Sequence, residues 1–306
     1  MADPLVVLGI DVGGTKSALA LIDDTGTVLA RQSVPTRSGG DDVERVAGAA
    51  ADLLRTTRAD GLPAPVAIGT GWPEYVDTHG RLTSTEVLTW ARQPTEVLST
   101  ALCLDGEPLV VESDVRLGAL GETRFGEGRG ADSMLYVSLG TGLSAVMVID
   151  GQPWRGARGE AIGFGEFPVP GIAGADWPTP TSVNLESFAS GAGLAARAAQ
   201  QTGLARTTRE LTSAAGDGDV IAGRLLTESG MALGRGMAAL VACLDPDIVV
   251  LGGGLGSSGS LLVQAARQAY EDRVSGRPAP PPLRIARTGA DAGLFGAAAV
   301  ALAAIG

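Results

Sequence analysis

Residues 8–23 read LGIDVGGTKSALALID, and residues 135–150 read LYVSLGTGLSAVMVID. At an offset of 127, Leu8 falls on Leu135, Gly13 on Gly140, Ser17 on Ser144, Ala18 on Ala145, Ile22 on Ile149 and Asp23 on Asp150. Most remaining pairs are apolar on apolar, such as Ile10 with Val137 and Leu21 with Val148. A repeat over this range predicts a fold with two similar halves. In each half an apolar strand enters a small Gly/Thr turn and leaves as a second apolar strand, which is a hairpin pattern. The first half adds a third strand, VLARQSV, beyond an Asp-Asp-Thr-Gly turn.

Helix and strand patterns alternate after each hairpin. DDVERVAGAAADLLRTTR sets Val43, Val46, Ala50, Leu53 and Leu54 at helical spacing. DVRLGALGETRF predicts a helix with Asp114 at its N-cap position. NLESFASGAGLAARAAQ reads as one helix, DVIAGRLLTESGMALGRGMAALVACL as a long one, and SSGSLLVQAARQAYEDRV and DAGLFGAAAVALAAI as two more. VAIGTG, PLVVES, DIVVLGGG and PLRIART read as strands, and GRPAPPPLR as a surface loop. This alternation argues an α/β fold. With 306 residues, 45% of them hydrophobic, two domains are expected. The expected division is 1–114, closed by the C-terminal helix 291–306, and 115–290.

The formal net charge is −11, the opposite of a nucleic-acid footprint, so no nucleic-acid partner is expected. No segment has the unbroken apolar length needed to span a bilayer, and MADPLVVLGID lacks a basic region followed by a long apolar stretch. The chain therefore reads as cytoplasmic, with no membrane partner. Cys103 and Cys243 are the only cysteines, which excludes a disulfide framework and a cysteine-cluster zinc site. Cys243, inside MAALVACL, reads as a small buried residue.

A small turn between two strands presents backbone N–H groups with no side chain in the way, which makes an anion cradle. Two such cradles from facing halves would grip a polyphosphate from both sides. The candidates are Gly13, Gly14, Thr15 and Lys16 in the first turn, Gly140, Thr141 and Gly142 in the second, and Gly252, Gly253 and Gly254 after DIVVL. Asp11, beside the first turn, is placed to hold Mg2+ directly or through its waters. Either turn alone reads better as an ordinary glycine hairpin. The repeat and DIVVLGGG together favour phosphate.

LGIDVGGTKSALALID resembles the first phosphate motif of the actin/hexokinase-like superfamily, LGTG at 139–142 resembles the second, and DPDIVVLGGGLGSSG resembles the adenosine motif. The nearest resemblance is to the ROK family (repressors, open reading frames and kinases). IGTGWPEYVD at 68–77, ESDVRLGALGE at 112–122, RGARGEAIGF at 155–164, NLESFASGAGL at 184–194 and DAGLFGAAAVAL at 291–302 extend it over nearly the whole chain. The resemblance implies two similar actin/hexokinase-like (ribonuclease H-like) α/β domains with a cleft between them, and ATP and Mg2+ as cofactors. It implies Asp114 as the base towards a primary hydroxyl, with Gly71, Glu74, Ser113, Asp114, Glu160 and Glu186 on the substrate. It also implies a small-molecule sugar or cyclitol partner and a homodimer. The first phosphate motif begins at residue 8, which leaves no room for the helix-turn-helix of the family's repressors, so a kinase is expected.

The departures carry information. The family's Asn-Asp-x-Asn is here Ser113-Asp114-Val115-Arg116. Its Gly-Glu-Ile-Gly-His has become Gly159-Glu160-Ala161-Ile162-Gly163-Phe164, with one residue inserted, and its three-cysteine cluster is replaced by PVPGIAGADWPTPTSVN. No structural zinc is expected. The single histidine, His79, lies in the turn-like VDTHGRL and reads as solvated. Losing Asn and His removes hydrogen-bond partners for ring hydroxyls, while the nucleotide motifs and the base survive. This resembles the zinc-less ROK kinases of secondary metabolism that act on C7-cyclitols of the valiolone/valienol type (7-OH) or on amino sugars (6-OH). The alternatives are a glucokinase-type hexose kinase without zinc and a non-catalytic sugar-sensing protein. An actin-like assembly ATPase stands further off.

Overall fold

The computed structural model describes residues 4–37, 39–169 and 183–305. The chain divides into two compact units. One comprises residues 1–130, 151–161 and 291–306, and the other residues 131–150 and 162–290. Each is an α/β unit built on its own mixed sheet.

The first unit opens with β1 (Val6–Val12), β2 (Lys16–Asp23) and β3 (Val28–Pro35), an antiparallel meander. α1 (Asp42–Ala59) follows, then β4 (Ile68–Trp72), α2 (Pro94–Ala101), β5 (Leu109–Ser113) and α3 (Asp114–Phe125). β4 pairs parallel with β1 and β5 parallel with β4, giving the order β3-β2-β1-β4-β5. β1 reads VVLGIDV with hardly a polar break because both of its faces are covered, as in central strands of α/β folds. α1 begins at Asp41, whose carboxylate accepts from the amides of Val43 (2.9 Å) and Glu44 (3.1 Å). Its buried stripe of Val43, Val46, Ala47, Ala50 and Leu53 packs on the sheet.

The second unit repeats the plan. β6 (Ser133–Leu139) pairs antiparallel with β7 (Leu143–Ile149), β9 (Ile248–Gly252) runs parallel to β6, and β10 (Leu283–Ile285) runs parallel to β9. β8 (Gln152–Pro153), a two-residue strand, falls in the 151–161 stretch assigned to the first unit. The helices α4 (Leu185–Ala189), α5 (Gly191–Thr202), α6 (Thr208–Gly216), α7 (Val220–Leu244) and α8 (Leu261–Val274) complete the unit. The last helix, α9 (Ala292–Ala303), belongs to the first unit.

The hairpins show that the repeat is not in constant register. Val12 pairs with Ser17, but Leu139 pairs with Leu143. The second turn is one residue shorter, so the offset is 127 on the first strand and 126 on the second. Burial agrees, because buried Ser17 corresponds to buried Leu143.

Four other expectations are corrected. The division at 114 cuts through the first unit, because α3 packs on α9. The helix expected over 184–200 breaks at Ser190, where an extended backbone ends α4 and the hydroxyl caps α5 by accepting from Gly193 N (3.1 Å). Asp114 is the first residue of α3, not its cap; Ser113 holds the cap position without capping. Cys243 is exposed, on the outer face of α7. Among the described residues no helix is long and apolar enough to cross a membrane.

α9 reads AGLFGAAAVALA and has no polar face because it is covered on several sides, by β1, β4 and α3. Contact there is backbone to backbone. A Cβ at Gly296 would stand 2.7 Å from the Cα of Leu117, and one at Gly69 would stand 2.8 Å from the carbonyl carbon of Ala297. Gly296→Ala is expected to lower stability by about 1–3 kcal/mol, the usual cost of overpacking. Urea unfolding should show a lower midpoint with an unchanged slope; an unchanged midpoint would contradict the packing described.

Candidate active site

In the first unit the C-terminal ends of three strands lie side by side. Asp11 on β1 is opposite Gly71 on β4, and Gly71 is opposite Glu112 on β5. The chain turns from β5 into α3 through Ser113 and Asp114, so Asp114 sits at the same edge. Gly71 is where α3 comes close: a Cβ there would lie 2.7 Å from Leu117 Cδ1 and 3.6 Å from Asp11 Oδ1. On the other side of Asp11 stands the start of α9, where a Cβ at Gly293 would lie 2.6 Å from Asp11 Oδ2.

Asp11 and Asp114 are part-buried acids with displaced protonation. Burial, with the charges of Asp114 and Asp291, pushes the Asp11 carboxyl up to about 7. Burial pushes Asp114 up to about 6, opposed by the Val115 N–H (2.7 Å) and the Arg116 charge and assisted by the Glu74 charge. Asp291 faces Arg31 in a two-pronged ion pair of 2.6 and 2.9 Å. The Gly13–Lys16 turn is closed by Gly13 N donating to Lys16 O at 3.1 Å, and Thr15 and Lys16 are exposed.

Glu74, expected on the substrate, holds a loop instead. It is 4% exposed. Its Oε1 accepts from Val87 N (2.8 Å) and Leu88 N (2.7 Å), and its Oε2 from Glu86 N (3.0 Å) and the Ser84 hydroxyl. A carboxylate has about four acceptor sites, and all are taken. The loop so held reaches the first turn: a Cβ at Gly14 would lie 3.2 Å from Val87 Cγ1. Ser113 is fully buried and its hydroxyl has no hydrogen-bond partner among the described residues. Glu160 is exposed, and among the described residues its partner is Arg158 in a 3.7 Å ion pair. Phe164, where the resemblance places histidine, is a core residue with its ring edge-on to Phe167 at 5.4 Å. His79 is exposed in its turn. Residues 170–182, most of the stretch standing where the family has cysteines, lie outside the described residues.

In the second unit the Gly140–Gly142 turn is held from below. Gly191 N donates to Gly140 O (2.9 Å) and Ala192 N to Thr141 O (3.0 Å), both from the first turn of α5. Peptide groups are planar and trans, so the N–H groups of Thr141 and Gly142 point the opposite way from those carbonyls. Leu139 O accepts from Leu255 N and Gly256 N, each at 3.0 Å, which ties the Gly252–Gly254 turn to the strand entering the phosphate turn. Gly253 has a φ of +80°, and a Cβ on it would lie 2.8 Å from Leu139 N. Glu186 accepts from Leu143 N at 2.7 Å, and a Cβ at Gly142 would lie 2.8 Å from its Oε2. Among the described residues the Glu186 carboxylate accepts only from Leu143 N, fewer donors than Glu74 has.

The sequence motifs thus come together within each unit: Asp11, Gly13–Lys16, Gly71, Ser113 and Asp114 in one, Gly140–Gly142, Glu186 and Gly252–Gly254 in the other. Sequence reasoning missed Asp291, Glu112 and Arg155. Glu112 lies near the end of a strand and Arg116 in the following helix, so their ion pair spans the strand-to-helix corner and no helical spacing in the sequence announces it.

The ROK family model matches residues 7–304. The chain is 30% identical to a glucokinase of Streptomyces coelicolor, covering 97% of each chain. It is 31% identical to the kanosamine kinase of Amycolatopsis mediterranei, covering 96% of this chain and 95% of that one. A crystal structure of a ROK family glucokinase from Streptomyces griseus in complex with glucose and AMPPNP superposes with a TM-score of 0.78 at 28% identity, over 97% of this chain and 99% of that one.

Asp11 and Asp114 hold their protons more tightly in the folded chain than in the unfolded one, so their ionisation costs stability as pH rises from the ordinary carboxylate range through about 6 to 7. In the metal-free protein, Asp114→Asn should raise Tm at pH 8, and the gain should shrink as pH falls below 6. A gain independent of pH in calorimetry would contradict these shifts.

Proposed function

The chain belongs to the ROK family, and we propose that it transfers the γ-phosphoryl group of ATP to the primary hydroxyl of a sugar-like ring. The observation that carries the reading is Asp114: a part-buried carboxyl at the strand-to-helix corner, tuned to about 6 and neighboured by Asp11. A general base works best when its pKa lies near the working pH. The acceptor hydroxyl gives its proton to Asp114 as its oxygen forms the bond to the γ-phosphorus, and the bond to the ADP oxygen breaks. The exposed amides of the two glycine turns hold phosphate oxygens, and Gly252–Gly254 pack against adenosine. Asp11, an acid among acids, fits a divalent cation, and bound Mg2+ would neutralise phosphate charge there.

The acceptor is a C7-cyclitol of the valiolone/valienol type, or a modified hexose such as an amino sugar. Two features support this. Neither position where the family has asparagine offers an accessible polar group, because the Ser113 hydroxyl and the Arg116 guanidinium are fully buried. The resemblance to a kanosamine kinase supports the amino-sugar form. Glu186, whose carboxylate meets fewer donors than that of Glu74, and Glu160 on the exposed 155–161 loop read the ring hydroxyls. The second reading is glucose phosphorylation, favoured by the Streptomyces glucokinases.

ADP release is measured with MgATP against glucose, mannose, N-acetylmannosamine, N-acetylglucosamine, kanosamine, and valiolone- and valienol-type cyclitols. Turnover on a cyclitol or amino sugar well above glucose is the expected result; glucose as the best acceptor would favour the second reading. Asp114→Asn should lower kcat by more than about a thousandfold while ATP still binds. An active variant would remove Asp114 from its role. With wild type, kcat/KM should fall as pH drops below about 6, as the base becomes protonated.

A further inference from the structure

We propose that Arg116 is a positioning residue of the transfer site: its buried guanidinium locks the 155–161 loop and the 74–77 segment to the first turn of the helix that carries Asp114. The role in transfer rests on the kinase reading above; the lock itself is a matter of geometry.

Arg116 is fully buried, two residues after Asp114. Its Nε donates to Glu112 Oε1 at 2.5 Å. One terminal nitrogen donates to Gly159 O at 2.9 Å and the other to Val76 O at 2.6 Å. A single planar fork therefore joins three separate segments, which a lysine's compact ammonium does not reproduce. Glu112 is shared: its Oε2 faces Arg155 at 2.5 Å, from the same loop as Gly159. The loop is thus held at two points, by Arg155 on Glu112 and by Gly159 O on Arg116. It also closes on itself, with Ala161 N donating to Arg155 O at 3.3 Å.

The contact behind Gly159 is main chain on main chain. Gly159 has a φ of +85°, and a Cβ on it would stand 2.8 Å from the Cα of Asp77. The segment 151–161 is the only stretch of the first unit that lies in sequence between two stretches of the second. Glu160 follows Gly159 directly, so Arg116 fixes where that side chain starts. Loosening the loop should therefore affect recognition of the acceptor and leave recognition of ATP unchanged.

The test uses hydrogen exchange of the unliganded protein, followed by kinetics on the best acceptor of the panel above. Arg116→Met leaves Glu112 short of a partner, so the charge-balanced double variant Glu112→Gln/Arg116→Met is compared with it. Gly159→Ala attacks the same contact from the loop side. In all three, amides within 151–161 should exchange about tenfold faster or more, as expected for losing hydrogen bonds to a charged group. The rest of the first unit should stay near wild type. Arg116→Lys should restore protection in part. The acceptor KM should rise at least tenfold with the ATP KM unchanged and kcat less affected. Wild-type protection of 151–161 in the double variant, or faster exchange spread evenly over the first unit, would overturn the proposal. Absence of turnover by wild type would count against the kinase reading alone, because exchange is read without substrate.

Discussion

Taking a carboxylate out of water costs free energy unless donors or cations replace the solvent. The edge of the first sheet brings Asp11, Glu74, Glu112 and Asp114 into one neighbourhood, and their surroundings sort them. Glu74 is met by three amides and a hydroxyl, and Glu112 by two guanidinium groups. These two are scaffold: each pins loops that would otherwise hang from the sheet. Asp11 and Asp114 lack such matching and respond by holding their protons. Perturbed acids of this kind concentrate at functional sites.

The second unit solves a different problem with almost no charge. Its glycine turns are oriented mainly by main-chain hydrogen bonds, from α5 to Gly140 and Thr141 and from Leu255 and Gly256 to Leu139, with the Glu186 carboxylate on Leu143 N. An anion cradle needs amides that point one way, and fixing the carbonyls on the opposite side of the same peptide planes achieves that.

Much of this was legible in the sequence. The paired hairpins and a helix starting within a residue of Asp114 follow from apolar periodicity and glycine placement. The register slip in the second hairpin was not legible, since apolar residues sit on both sides of the shift and either pairing looks plausible. The break at Ser190 escaped because LESFASGAGL keeps helical spacing through a residue that caps a new helix. Glu74 was misplaced for a different reason: its partners are backbone amides of residues 86–88, and a sequence does not show where a loop's N–H groups point. Cys243 looked buried from its apolar neighbours, although every helix with an exposed face must set some small residues there.

The chain crosses between its two units four times, and the last crossing delivers α9. That helix lies against β1, β4 and α3 through contacts so close that glycine is required on both sides. The strands it covers precede the second unit in the sequence, and their cover follows it. The first unit therefore lacks this cover on its sheet until residues 292–303 have been made, while the second unit has its own strands and helices complete by residue 290. Closure of the acidic edge, with Gly293 against Asp11, therefore depends on a helix that follows the whole second unit in the sequence.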